Sequence, residues 1–129
     1  MQRFTELKDW QRGHSLALTV YRMTTGFPWN ERYGLTSQIR RAAVSVPTNI
    51  AEGSKRLTGT EYARFLNIAE ASLAETEYRL MLSRDLGYIA SIVASKTLDE
   101  VSELARMLNG LHKKVEVSAV NQRSGAKVH

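Results

Sequence analysis

There is no cysteine among the 129 residues. A disulfide framework, a thiolate zinc site and a cysteine nucleophile are therefore excluded, and the composition fits a reducing compartment. Proline occurs only at Pro28 and Pro47, and no alternating β-branched run argues for a strand. No segment approaches the roughly 18 to 20 uninterrupted apolar residues of a membrane span. The opening stretch MQRFTELKDW is interrupted by Arg3, Glu6, Lys8 and Asp9, so it does not read as a signal peptide, and a soluble, cytoplasmic protein is expected. Chemical motifs are missing too. The chain has no glycine-rich phosphate loop, no Gly-x-Ser-x-Gly elbow, no Glu-x-x-His pair and no histidine spaced to activate Ser45 or Ser72. The expectation is a protein that is not an enzyme and carries no cofactor.

What is present is helix. With 43% hydrophobic residues the chain can bury one core as a single domain. Four amphipathic segments of about 20 residues each follow the 3.6 period. The first runs from about Leu7 to Thr25, with Trp10, Ala17, Tyr21 and Thr24 on one line and Leu18 and Val20 beside it. Gly26, Phe27 and Pro28 end it, the glycine suiting a left-handed position. The second runs from near Tyr33 to Gly53, a natural residue just past a helix end, with a kink or break expected at Pro47. Thr58 and Glu61 have capping-box spacing and open the third, whose inner face is Tyr62, Phe65, Leu66, Ala69, Leu73, Thr76 and Leu80 and whose stop is Gly87. The fourth begins near Ser91 or at the Thr97/Glu100 capping box, follows Ala94, Leu98, Val101, Ala105, Leu108 and Val115, and ends around Val115. Short connections between such helices give an all-α, antiparallel up-down-up-down four-helix bundle over residues 1–117, with 118–129 as a disordered basic tail.

The second segment is the most unusual. At about 100° per residue, Gln38, Arg41, Ser45, Asn49 and Glu52 fall in one narrow sector beside the apolar line of Leu35, Ile39, Ala42, Val46 and Ile50. Three readings are open. The stripe can hydrogen-bond to the third helix, where Ser72 is on the inner face and Glu75 at its border. It can pack on another subunit, with Arg41 paired to Glu52 or Glu75 across the seam. Or it can bind a ligand or nucleic acid.

The formal charge of +5 makes a polyanionic partner thinkable, yet Lys113, Lys114, Arg123 and Lys127 against Glu116 place a net +3 of it in the last stretch of chain. Elsewhere Arg40, Lys55, Arg56 and Arg64, with Arg12, are candidates for phosphate contacts. Trp10, Tyr21, Tyr62 and Phe65 fall on inner faces, leaving Trp29 and Tyr33 in the first loop as the exposed aromatics. His14 and His112 would lie at one end of the bundle with Glu52 and Glu61, but inner-face histidines more often hydrogen-bond than ligate, and no metal is expected.

Several groups of residues carry a resemblance: Phe4, Leu7 and Trp10; Tyr21, Phe27 and Pro28; Tyr33-Gly34-Leu35; Gln38-Ile39-Arg40-Arg41-Ala42; Ser45-Val46-Pro47; Asn49-Ile50-Ala51-Glu52-Gly53; and Ser72-Leu73 with Glu75. From about Phe4 to Leu111 the chain resembles the four-helix-bundle proteins of intervening sequences in bacterial large-subunit ribosomal RNA genes. These are similar to the accessory variability protein of diversity-generating retroelements, a basic pentameric ring that works with a reverse transcriptase and nucleic acid. The resemblance implies a homo-oligomer, a pentamer, with RNA, DNA or a nucleic-acid-processing protein as partner, and no established enzymatic activity. The last residues, after Val117, fall outside it.

Overall fold

A computed structural model describes the backbone of residues 3–128 and the side chains of residues 3–122. Four α-helices carry the fold: α1 (Lys8–Thr24), α2 (Leu35–Ser54), α3 (Gly59–Asp85) and α4 (Ser91–Val128), with short 3₁₀ turns at Phe4–Glu6 and Trp29–Glu31. Each helix packs on the next and α4 returns to α1, consistent with an up-down bundle. The pairings are antiparallel: Gln38 meets Arg79 and Ser45 meets Ser72, and on the next seam Glu70 meets His112. Among the described residues no helix is long and apolar enough to cross a membrane.

The core is built from Leu16 and Val20 of α1, Ile39, Ala43, Val46 and Ile50 of α2, Leu66, Leu73 and Leu80 of α3, and Val101, Leu104 and Leu108 of α4. Four buried hydroxyls are satisfied within their own helices. Thr24, Thr76, Ser83 and Thr97 each donate to the carbonyl four residues back, at 2.7–2.9 Å. The α3 core line is the one its period gives. On α1 the buried line is Gly13, Leu16, Ala17, Val20 and Thr24, so Leu18 and Tyr21 face outward at 41% and 45% exposure, against the inner-face expectation for Tyr21. On α4, Leu104 is buried and Ala105 exposed, against the inner-face expectation for Ala105.

Helix ends follow local chemistry at both ends of α3. Thr58 Oγ1 accepts the Glu61 N–H at 3.2 Å. At the other end Gly87 takes φ +78°, while the N–H groups of Gly87 and Tyr88 donate to the carbonyls of Arg84 and Ser83, both at 2.9 Å, a Schellman closure. Other expectations need correction. Gly26 is not left-handed; α1 ends where the Thr25 hydroxyl caps the Arg22 carbonyl at 2.7 Å and Pro28 follows. α2 runs unbroken through Pro47, whose buried ring lies against α1 at Gly13, offsetting the lost N–H donor. Gly53 is inside α2, buried on α3, and is there for close approach.

α4 starts at Ser91, with Thr97 in its interior, and does not end at Val115. It continues through Val128, with Val115 and Ala119 buried; at Gly59, the first residue of α3, a Cβ would stand 2.9 Å from Ala119 Cβ. No break in α4 marks the boundary expected at Val117, and His129 lies outside the described residues.

The two glycine environments predict opposite outcomes. A Cβ on Gly53 would meet Phe65 Cβ at 2.8 Å and the Tyr62 carbonyl at 3.3 Å, so Gly53→Ala should cost about 1–3 kcal/mol from overpacking, outweighing a helix-propensity gain of about 1 kcal/mol. Gly110, exposed within α4, has nothing within 4 Å of such a Cβ. Gly110→Ala should stabilise by about 0.5–1 kcal/mol. Thermal melts of the two variants check both signs.

Candidate functional site

The polar stripe of α2 divides into two parts. Ser45 Oγ lies 2.8 Å from Ser72 Oγ on α3, and Asn49 Nδ2 donates to the Ser45 carbonyl at 2.8 Å and its hydroxyl at 3.0 Å. With Asn49 donating into the Ser45 oxygen, the Ser45 proton is free to bridge to Ser72. Near the start of α2, Arg79 Nη1 donates to Gln38 Oε1 at 2.7 Å while its Nε pairs with Glu75 Oε2 at 2.9 Å. Gln38, Ser45, Asn49, Ser72 and Glu75 thus share one seam between α2 and α3, where each such bond is worth about 0.5–1.5 kcal/mol. Arg79 joins two of them; its pairing with Glu75 is a local i,i+4 contact, whereas its bond to Gln38 depends on how α2 and α3 pair. Arg41 and Glu52 are not in the seam. Both are exposed; within the chain Glu75 is held by Arg79, and Arg41 Nη2 has only Ser37 Oγ at 3.5 Å.

Glu52 stands on the rim of an open groove of about 640 Å³ between the outer faces of α1 and α2. Trp10, Leu18, Tyr21, Val44 and Thr48 line it. Phe4 meets Trp10 edge-on at 5.2 Å, and His14 stacks on Trp10 at 4.9 Å and 10°. The outward face of α2 is built from Ser37, Val44 and Thr48 with Arg41 and Glu52 as its charges, a sparse complement for a solvated helix.

The basic candidates separate. Arg40 is half-buried and occupied: Nε donates to Thr24 Oγ1 at 2.7 Å, Nη2 to the Tyr21 carbonyl at 3.3 Å, and the guanidinium lies 4.7 Å from the Tyr21 ring centre. It ties α2 to the end of α1, about 22 Å along α2 from Lys55, and is withdrawn from the phosphate set. Arg56 and Arg64 come together over Phe65, at 4.6 and 5.3 Å from its ring centre, while Lys55 lies 5.3 Å from the Phe4 ring. Lys114 lines a groove with Arg56, Tyr62 and the fully exposed Leu57. Among the described residues, none of Lys55, Arg56, Arg64 and Lys114 is within 4.0 Å of a carboxylate oxygen, whereas Arg12 reaches Glu103 at 4.0 Å.

The histidines do not converge. His14 is with Trp10, and His112 sits between carboxylates, Nδ1 hydrogen-bonded to Glu70 of α3 and Nε2 3.0 Å from Glu116. The Glu116 half of this pair is legible at i,i+4 spacing; the Glu70 half depends on how α3 and α4 pair. Among the described residues no three His, Asp or Glu side chains gather as a metal site. Near the start of α1, Asp9 Oδ2 is buried without a hydrogen-bond partner, and burial pushes the Asp9 carboxyl above its usual range. Burial, then the Asp9 charge, also raises the Tyr62 phenol.

Residues 5–110 match the sequence model of the 23S rRNA-intervening sequence protein family. The chain belongs to that family. The family match ends at 110 and so excludes nearly half of α4, with Lys114, Val115 and Ala119, while it includes the α1 and α2 walls of the apolar groove, the seam and the Arg56/Arg64 pair. A solved structure of a protein of unknown function from the S23 ribosomal protein family of Bacteroides thetaiotaomicron is similar in fold, at TM-score 0.72 and 24% identity, over 81% of this chain and 98% of that one. No curated protein sequence matches the chain.

Two predictions follow from the site's wiring. Arg40→Ala removes a half-buried guanidinium with two acceptors, so it should lower stability by about 1–3 kcal/mol, measured in urea, whereas Arg64→Ala should shift it by no more than about 0.5 kcal/mol. Asp9 binds its proton more tightly folded than unfolded, so its favourable contribution is full below the unfolded value near 3.8 and is lost as pH rises through the higher folded value. Asp9→Asn should therefore melt above the parent at pH 7, with the difference shrinking as the pH is lowered into the carboxylate range.

Proposed function

We propose that this chain is a non-enzymatic, cytoplasmic, self-associating bundle module that binds nucleic acid, or a protein that processes it, through a basic surface repeated around the assembly. The observation that carries the reading is the Arg56/Arg64 pair on Phe65 with Lys55 and Lys114 nearby, cations without a carboxylate partner among the described residues. Phosphate is the ligand such forked, pre-oriented donors suit.

Self-association is supported by the apolar groove on α1 and α2. Leu18, Tyr21 and Val44 are 38–45% exposed along it, and Glu52 on its rim offers a partner for a cation of a second copy. A closed ring, the pentamer implied by the resemblance, repeats one weak patch several times and raises avidity without a new contact. The same groove supports a second reading, a protein-interaction scaffold with no affinity for nucleic acid.

Anisotropy of labelled RNA and DNA across a salt series separates the two. Nucleic-acid binding predicts retention near physiological salt and, for the Arg56→Ala/Arg64→Ala double variant, a log–log salt slope shallower by roughly 1.5–2. Binding confined to very low salt selects the scaffold, and binding near physiological salt with a slope unchanged in the variant places the phosphate contacts away from Arg56 and Arg64. Leu18→Glu, in the groove, should lower the assembly mass by light scattering while helicity is kept; an unchanged mass would place the interface elsewhere.

A further inference from the structure

The end of the bundle opposite the Arg56/Arg64 pair carries a surface that its packing does not explain. Trp29 and Tyr33, in the connection between α1 and α2, are 76% and 84% exposed. Arg32 lies between them, its guanidinium carbon 4.0 Å from the Trp29 ring centre and 4.7 Å from that of Tyr33. The backbone beneath is fixed. The N–H groups of Glu31, Arg32 and Gly34 donate to the carbonyls of Pro28, Trp29 and Glu31 at 2.9–3.2 Å, and Arg32 Nη1 donates to the Trp29 carbonyl at 3.0 Å. Glu31 is turned inward, accepting from Tyr88 O–H at 2.9 Å and from the Leu35 N–H at 3.3 Å. Rigid, solvent-facing aromatic rings interleaved with a cation are thus held on an ordered turn.

Beside them opens a cleft of about 500 Å³. Arg32, Arg40 and Arg41 line it with Tyr21, Tyr33 and Ser37, and no carboxylate contributes to its walls. Arg40 is committed to Thr24, but Arg41 has only a long contact to Ser37 and Arg32 keeps donors beyond its backbone bond. The cleft is therefore anion-selecting at its walls and π-rich at its mouth.

We propose that this end is a binding site for single-stranded nucleic acid, with unpaired bases stacked on Trp29 and Tyr33 and the backbone phosphates taken by Arg32 and Arg41. Charge and shape complementarity select that ligand. Base faces are available for stacking only in a single strand or at a duplex end, and a strand carries the phosphates that a wall of arginines without acids requires. An acidic protein segment would satisfy the arginines and leave the two rings without stacking partners of matching shape. The proposal rests on the nucleic-acid reading above and assigns it a second, distinct surface.

Trp29 reports its own occupancy. The chain holds two tryptophans, so Trp10→Phe leaves Trp29 as the sole one. In that background, oligo(rU) and oligo(dT) should each quench or shift the emission, their relative affinities distinguishing RNA from DNA, while a covalently closed duplex, which has no free ends, and inorganic polyphosphate at equal phosphate should not. In the parent chain, Trp29→Ala and Tyr33→Ala should each weaken single-strand binding by on the order of ten-fold while leaving the melting temperature near the parental value, since both side chains are exposed. Arg32→Ala should weaken binding and make the salt slope shallower. Parental affinity in the Trp29 and Tyr33 variants, with loss only in Arg56→Ala/Arg64→Ala, overturns this assignment and leaves the basic end as the site. Emission changed equally by polyphosphate overturns the stacking role. An acidic peptide that shifts Trp29 where oligonucleotides do not makes the surface a protein site, and no binding of any nucleic acid removes both this proposal and the reading it rests on.

Discussion

The close approach of α2 to α3 is the constraint on which the rest of the bundle depends. Gly53 leaves no room for a Cβ between the helices at one end, Ser45 and Ser72 touch through their hydroxyls in the middle, and Gln38 takes Arg79 at the other. Small residues bring the backbones together, and close packing makes the polar contacts short enough to satisfy groups that would otherwise be stranded. Because those bonds are directional, they also fix rotation and register, which an apolar seam alone specifies weakly. Proline inside α2 is tolerated for a related reason: its ring fills space against Gly13 on the α1 side, so the helix is held from both flanks across the missing donor.

With α2 fixed in rotation, its remaining surface is assigned. The core line faces inward, the seam uses Gln38, Ser45 and Asn49, and what is left outward is Ser37, Arg41, Val44, Thr48 and Glu52. The two ends of the same helix then present different chemistry. At the C-terminal end Lys55 and Arg56 lead into the turn before α3, where Arg64 and Phe65 complete a basic patch. At the N-terminal end the turn before α2 holds Trp29, Arg32 and Tyr33 outward. Twenty helical residues place these ends about 30 Å apart, so on the binding proposed above one protomer would meet a flexible polymer at two separated points.

Much of this was legible in the sequence where one helix decides the outcome alone. The α3 core line, the Thr58 cap and the Gly87 stop each need only period or a local hydrogen bond. The residues that misled are those whose fate depends on a second helix. Gly53 has the look of a terminus and is a contact; the end of α4 looks aperiodic, yet Val115 and Ala119 are enough to seat it on the start of α3. Tyr21 fits an inner-face line that tolerates rotation by one residue, and the structure chose Leu16 and Val20 in its place. At the site, the stripe was visible as a stripe, but its division between seam and surface was not, because Arg79, 41 residues along the chain from Gln38 and paired locally with Glu75, decides where Gln38 goes. Arg40 had the appearance of a free cation for the same reason: its acceptors, Thr24 Oγ1 and the Tyr21 carbonyl, belong to another helix.

An exposed arginine binds phosphate weakly on its own, since it gives up rotamer entropy on doing so and its attraction is screened within about 8 Å at physiological ionic strength. Stacking reduces the first cost. Arg56 and Arg64 on Phe65, and Arg32 between Trp29 and Tyr33, are already restricted by contacts worth about 0.5–1 kcal/mol each at exposed sites, so less freedom remains to be lost on binding. Screening is not reduced, and a protomer with a handful of such groups stays weak. Repetition is the remaining physical route to useful affinity, which ties the apolar groove of α1 and α2 to the charged ends of α2. If a strand engages several copies at once, it binds the assembly more tightly than the protomer, and mass action then requires that the strand stabilise the assembly by the same factor. In the proposed assembly the groove need not hold the copies together unaided: a modest apolar interface that assembles fully only on its polymer would make occupancy and assembly one equilibrium.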